Sequence, residues 1–101
     1  MANFIISFRI ASDSSYQTRY NSFVSAVHQA AGGLEHVWEE TSSFFALEAN
    51  ETAASLCDQL YYGSDLLESK DEILVIDVSR RQWTSKGDLK YLTTLKSALG
   101  F

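Results

Sequence analysis

Two aspartates of this sequence are considered as candidates for metal-dependent catalysis. Asp13 lies in a serine-rich loop after the first apolar segment, and Asp77 lies near the end of the last strongly apolar one. Carboxylates can hold a divalent cation or transfer a proton. The short polar neighbours of Asp13 are also typical of a helix N-terminus, which is the role we favour. Asp13 and Asp77 are therefore the catalytic candidates, but the sequence favours a protein without catalysis, metal site or cofactor.

The histidines and the cysteine lack the spacing of a metal site or an activated nucleophile. His28 and His36 have no cysteine nearby and do not form a His-Glu-x-x-His pattern. Cys57 falls between Leu56 and Leu60 on an apolar stripe, where burial raises the pKa of a thiol and makes it unreactive. A single cysteine also excludes an internal disulfide and every site built from several cysteines.

The segment 80–101 is basic, whereas the rest of the chain is acidic. Residues 1–79 carry three basic and twelve acidic side chains, a net −9, and residues 80–101 carry five basic and one acidic, a net +4. Guanidinium groups interleaved with an indole can contact phosphates and stack on a base. The candidate nucleic-acid-binding residues are Arg9, Arg80, Arg81, Trp83 and Lys86. We favour the alternative, in which Trp83 anchors this arm on the sheet of a partner copy and the arginines pair with acidic strands, because an acidic body repels nucleic acid.

Length and composition predict one small domain. The chain has 101 residues, 46% of them hydrophobic, which is enough for a packed core. It shows no basic-then-apolar leader and no apolar run long enough to span a membrane, so we expect a cytoplasmic protein with no membrane partner. Residues 1–79 form the predicted core, and residues 80–101 form a basic arm within the same domain or at a dimer interface.

Hydrophobic periodicity predicts four strands and two helices before the arm. The expected strands, each alternating or strongly apolar, are residues 3–10, 34–40, 43–49 and 72–79. One helix follows the Ala11–Ser15 loop and ends at Gly32-Gly33, and a second runs from an N-cap at Asn50 to Gly63. A last helix is expected from Asp88 to Gly100 in the arm.

This order predicts an α+β protein with a ferredoxin-like βαββαβ fold. Its four-stranded antiparallel sheet would carry two helices on one face, followed by a C-terminal extension with a third helix. The last strand would lie at the edge of that sheet, although residues 73–76 are apolar on both faces. An apolar edge requires a cover, from the arm of the same chain or from a second copy. We favour a homodimer docked sheet to sheet, with Ile73, Val75 and Trp83 at its interface.

Several segments resemble one superfamily of small proteins. They are Phe4-Ile-Ile-Ser-Phe-Arg-Ile10, the helix ending at Gly32-Gly33, Trp38, and Asp71-Glu-Ile-Leu-Val-Ile-Asp77 before a Trp-containing arm. Over residues 3–85 the chain is similar to the small CRISPR-associated adaptation subunit (protein two of that system) and the VapD-type toxins. The resemblance implies a ferredoxin-like fold, a homodimer with packed sheets, and a terminal strand paired with the neighbouring subunit's fourth strand.

The chain departs from the family's chemistry at the end of the first strand. Active members carry an apolar-Ser-Tyr-Asp-apolar pattern there, whose aspartates are proposed to hold a metal between subunits. The matching stretch here is Ser7-Phe8-Arg9-Ile10, which places Arg9 at the aspartate position. Arginine cannot ligate magnesium. We therefore expect a non-catalytic homodimeric interaction module. The alternatives are a metal-dependent endoribonuclease using Asp13 or Asp77, and a nucleic-acid-binding protein using the arm.

Overall fold

The computed structural model describes residues 1–101 as one five-stranded antiparallel sheet with three helices. In chain order the elements are β1 (Ala2–Arg9), α1 (Tyr16–Ala31), β2 (Val37–Trp38), β3 (Phe44–Ala49), α2 (Ala53–Tyr62), β4 (Glu72–Asp77), β5 (Gln82–Lys86) and α3 (Leu92–Leu99). The strands lie side by side in the order β2-β3-β1-β4-β5. The predicted α+β class is confirmed, but the sheet has five strands where the sequence predicted four.

The additional strand is β5, which the sequence analysis treated as a polar extension. It pairs with β4 of the same chain in the register Ile73 with Lys86 through Asp77 with Gln82. This pairing places β4 inside the sheet, so β5 covers the apolar edge that was expected to need a cover. The cover therefore comes from the chain's own arm, whereas the resemblance had implied a strand exchanged with a neighbouring subunit.

The core lies between one face of the sheet and helices α1 and α2. Phe4, Ile6, Ile73 and Val75 alternate along β1 and β4, and each is at most 1% exposed. Helix α1 meets them with Phe23 and two smaller apolar residues, and α2 with Leu56, Cys57 and Leu60. Each large apolar side chain buried in this way contributes about 1.5–3 kcal/mol to folding.

The ends of the helices follow local backbone chemistry. Helix α1 ends where predicted, because Gly32 adopts a left-handed conformation (φ 85°) that lets its N–H bond the helix's last turn. Helix α2 begins at Thr52, two residues after the predicted Asn50. The Thr52 side chain accepts from the Ser55 N–H, and the Ser55 side chain accepts from the Thr52 N–H, which completes a capping box.

The second strand and the last helix are shorter than predicted. A 3-10 turn occupies Leu34–His36, so only Val37 and Trp38 remain as strand from the predicted 34–40. Helix α3 begins after Tyr91 and not at Asp88, and it ends at Gly100 as predicted. None of its residues is buried. None of the three helices combines the length and apolar character needed to cross a membrane.

Candidate functional site

The face of the sheet opposite α1 and α2, called the open face below, carries an apolar row that crosses every strand. Side chains of successive strands are paired in register: Trp38 with Ala46, Ala46 with Ile5, Ile5 with Ile76, and Ile76 with Trp83. Neighbouring strands are about 4.8 Å apart, so the row spans about 19 Å. Phe44 and Leu74 extend the same face one row further along the strands.

The open face is only partly covered by its own chain. Trp38 is 49% exposed and makes an edge contact with Phe44, with ring centroids 5.7 Å apart. Ile5 and Ile76 are half-buried, unlike their fully buried neighbours on the other face. The arm provides some cover through Leu89, which borders a cavity of about 220 Å³ with Ser7 and Leu74. The helix of the arm adds little, since Leu92 is 41% exposed and no residue of α3 is buried.

Charged residues of opposite sign stand at the two ends of the open face. At one end, the Arg9 guanidinium lies 2.5 Å from a carboxylate oxygen of Glu72, with 75% of the arginine side chain exposed. At the other end, the exposed Glu48 is paired in register with Asn3. The face therefore combines an apolar middle with an Arg9–Glu72 ion pair at one end and a carboxylate outside any ion pair, Glu48, at the other.

The arm folds back on its own chain. Trp83 donates from Nε1 to the backbone carbonyl of Phe101 at 3.2 Å. Arg81 donates to the carbonyl of Gly100 at 3.1 Å, and its guanidinium lies 4.9 Å from the centroid of the Phe101 ring. Arg80 donates to a carboxylate oxygen of Asp77 at 3.0 Å. Trp83 and Arg81 therefore bind the end of their own arm and not a partner's sheet, and only Arg80 pairs with an acidic side chain.

The predicted nucleic-acid-binding residues do not form one patch. Arg80 and Arg81 lie in the turn between β4 and β5, whereas Arg9 and Lys86 lie at the opposite end of the sheet. Trp83 is on the open face, but Lys86 is on the helix-covered face. There it lies 3.1 Å from Asp58 and above two tyrosine rings of α2, and its pKa is raised chiefly by the bond to Asp58.

The predicted dimer-interface residues lie on different faces of the subunit. The side chains of Ile73 and Val75 are in the core, 1% and 0% exposed, because β4 turns them towards α2. No partner can reach them there, so this part of the predicted interface is corrected. Trp83 does lie on the open face. The β4 residues on that face are Glu72, Leu74 and Ile76, which alternate with the core residues Ile73 and Val75.

The two catalytic candidates lie at opposite ends of the sheet and already have partners. Asp13 is 2.8 Å from Nζ of Lys70 and 2.9 Å from Nη1 of Arg19, and these bonds hold its pKa well below the usual range. Asp77 has no exposed side-chain surface. It accepts from the backbone N–H groups of Ser79 and Arg80 at 2.9 and 3.0 Å. Both carboxylates hold the ends of elements together, and no three side chains of the metal-ligating types converge.

A buried ion pair near Asp13 was missed by the sequence analysis. Arg19 and Asp71 are each 2% exposed, and Nε of Arg19 lies 2.8 Å from Oδ2 of Asp71. Asp71 also accepts from the backbone N–H groups of Ala11 and Leu67. One signal was available, because Arg19 lies four residues before Phe23 on the buried stripe of α1. The identity of its partner had no local signal.

The two histidines lie beside glutamates, and the cysteine is buried in the core. Nε2 of His28 lies 2.7 Å from a carboxylate oxygen of Glu39. His36 is exposed and lies beside Glu35. Cys57 is buried, and desolvation raises its pKa to about 11. A thiol with such a pKa carries almost no thiolate at neutral pH, so it is a poor nucleophile.

Comparison of the chain with known protein families, curated proteins and solved structures finds no match.

Proposed function

We propose that this chain is a non-catalytic interaction module that pairs with a second copy of itself through the open face. The observation that carries the proposal is the apolar row from Trp38 to Trp83, which crosses all five strands on the face without α1 and α2. Contiguous apolar surface of this kind marks a contact site in soluble proteins. A two-fold axis would bring the row against its own copy, which makes the contact self-complementary.

The strand order supports a ferredoxin-like core within this module. The first four strands follow the order β2-β3-β1-β4, and both long helices lie over one face. β5 is then an addition at the outer edge of β4. The resemblance to the CRISPR adaptation subunit and VapD-type proteins supports the same core and the same sheet-to-sheet pairing. Because β5 is already bonded to its own β4, the proposed contact is between faces and needs no exchanged strand.

The charges at the ends of the open face favour one orientation of the copies. A two-fold axis parallel to the strands would place the Arg9 end of one copy against the same end of the other. An axis across the strands would place Arg9 of each copy against Glu48 of its partner. Arg9 is bound to Glu72 of its own chain, but 75% of its side chain is exposed, so its guanidinium can also donate to the carboxylate of a partner. Opposite charges suppress the wrong register, so we propose the second arrangement.

The two alternative functions have less support. For a metal-dependent endoribonuclease, Asp13 is held by two cationic side chains and Asp77 is fully buried. For a nucleic-acid-binding protein, Arg80, Arg81 and Lys86 each have a partner within the chain. The observed contacts thus favour the interaction module over both.

Sedimentation equilibrium at micromolar concentrations tests the proposed self-association. The parent chain should give twice its own mass of 11.3 kDa. Ile76→Lys should weaken the dimer at least tenfold, because it places an ammonium group in the middle of the apolar row. Leu67→Lys is the matched control. Leu67 is 44% exposed in the loop between α2 and β4, where its N–H bonds the Asp71 carboxylate that pairs with Arg19 of α1, so the same charge change there should leave the dimer intact. A monomeric parent, or equal effects of the two variants, would contradict the proposal.

A charge exchange tests the orientation. Arg9→Glu or Glu48→Arg alone should weaken the dimer, because each puts like charges opposite one another. The double variant should recover most of the parent affinity. If the double variant does not recover dimer affinity, the proposed orientation is wrong. The apolar contact itself is tested separately by Ile76→Lys.

A further inference from the structure

A small pocket lies at the end of the sheet, between the end of β1, the first turns of α1 and the 39–43 turn. Its volume is about 260 Å³. Most ligand pockets hold about 300–1,000 Å³, so this one suits a single small chemical group. Its lining combines aromatic side chains, among them Phe8, Tyr16, Tyr20 and Phe45, with two charged side chains and the hydroxyl residues 41–43.

The aromatic side chains form two stacked pairs, which meet through a tilted contact between Tyr20 and Phe8. The rings of Tyr16 and Tyr20 are 5.7 Å apart and nearly parallel, at 21°. Tyr20 is 6.3 Å from Phe8, which in turn lies 5.3 Å from Phe45 at an angle of 14°. The two phenylalanines are packed against the core, whereas the two tyrosines are half-buried and border the opening. The ring positions are thus set by the core and by α1.

The charge available in the pocket is negative. Glu39 lines the pocket; its Oε2 lies 2.7 Å from Nε2 of His28, and its Oε1 makes no hydrogen bond within the chain. Arg9 also borders the pocket, but its guanidinium is bound to Glu72. A pocket with aromatic walls and one carboxylate repels anions. It attracts cations, because the negative faces of aromatic rings and the carboxylate act together.

We propose that this pocket binds a small organic cation of the quaternary-ammonium type. The head group would rest against Tyr16 and Tyr20, and Glu39 would be its counter-ion. The volume admits one such head group with a short chain. The pocket shares Phe44 and Arg9 with the open face, but the residues proposed to hold the ligand, Tyr16, Tyr20 and Glu39, lie outside the apolar row. The proposal therefore does not rest on the proposed self-association.

An NMR titration of the whole protein tests the site with choline chloride as the probe. Choline should shift the amide signals of residues 16–20 and 39–45 in a saturable way. The uncharged isostere 3,3-dimethyl-1-butanol, which has the same shape, should bind at least fivefold more weakly. Sodium chloride at the same ionic strength should leave these signals in place. Absence of saturable shifts, or equal binding of the isostere, would overturn the proposal.

Two matched pairs of variants test the named residues. Glu39→Gln should reduce choline affinity at least threefold, and Glu40→Gln should not, because Glu40 lies outside the pocket although it makes the same charge change. Tyr16→Phe keeps the ring and should bind as the parent does, whereas Tyr16→Leu should bind more weakly. Equal binding by Glu39→Gln and Glu40→Gln would overturn the proposal. Both are surface carboxylates, so this comparison does not depend on how well the tyrosine variants fold.

Discussion

Three carboxylates of this chain serve its structure through cationic and backbone partners. Asp71 pairs with Arg19 in the interior, Asp13 joins the same arginine and Lys70, and Asp77 holds the turn after β4. A buried charge is tolerated only when it is paired and fully hydrogen-bonded, and no buried side-chain nitrogen or oxygen in this chain lacks a partner. All three carboxylates are therefore part of the folded structure.

Asp13 should make the stability of the protein depend on acid pH. Lys70 and Arg19 lower the pKa of its carboxyl in the folded state. The contribution of Asp13 is then complete above the unfolded pKa of about 4 and is lost as the pH falls through the lower folded pKa. Urea unfolding of the parent and of Asp13→Asn should differ at pH 7, with the parent more stable, and should converge as the pH falls below about 4.

The control for this pH dependence is Asp65→Asn. Asp65 is exposed and forms no ion pair, so its variant should follow the parent at every pH. A constant difference between parent and Asp13→Asn down to pH 2 would show that the charge of Asp13 is not the source of the effect.

At the scale of elements, β5 is the feature that changes the architecture. Its sequence, Gln-Trp-Thr-Ser-Lys, has one large apolar residue and little strand signal of its own. It forms a strand because β4 offers a row of unpaired backbone groups at its edge. The strand ends at Gly87, which has φ 96° and packs directly on the backbone of Asp71.

Two glycine substitutions should separate backbone conformation from close packing. A Cβ on Gly87 would come within 2.2 Å of the Asp71 carbonyl oxygen, whereas a Cβ on Gly32 would meet nothing within 4 Å. Both residues have positive φ, so Gly32→Ala should cost about 1 kcal/mol from conformation alone. Gly87→Ala has the same conformational cost and also presses the new Cβ against the Asp71 backbone, so it should lower the free energy of unfolding by about 3 kcal/mol in total.

Thermal or urea unfolding measures how much each glycine substitution lowers the free energy of unfolding. Equal losses would mean that the close approach of Gly87 to Asp71 is relieved at little expense, and the proposed role of Gly87 in joining β5 to the start of β4 would fail.

For the whole molecule, the distribution of charge bears on possible partners. The acidic body and the basic arm differ in sign, and three of the five arm cations are bonded within the chain. Binding to nucleic acid requires cations that are free to release counter-ions from phosphates. The proposed contact through the open face, by contrast, buries apolar side chains and does not require free cations.

We therefore expect no salt-dependent binding of single-stranded RNA by the parent protein. A fluorescence-anisotropy titration at two salt concentrations measures it, with the Arg80→Ala/Arg81→Ala double variant for comparison. Tight binding that weakens as salt rises, and that the double variant loses, would favour the nucleic-acid alternative over the interaction module.

Much of the architecture could be predicted from residues close together in the chain. The apolar stripe of α1 repeats every three or four residues, β1 alternates every two residues, and a glycine marks the end of α1. Each of these signals lies within a short segment, so it specifies helix, strand or terminus locally. For the same reason the sequence correctly indicated that β4 requires a cover and that Cys57 is buried. It could also predict the α+β class, since that class follows from the order of such segments.

Other features were decided only when distant residues met. Residues 82–86 become a strand through pairing with β4, Ile73 and Val75 turn inward because α2 covers their face, and Arg19 finds its partner 52 residues away. The apolar row and the aromatic pocket likewise combine residues from several elements. Hydrogen-bond register, the choice of sheet face and ion pairing depend on which segments become neighbours. No local pattern encodes that choice, because its energy arises only after the chain has folded.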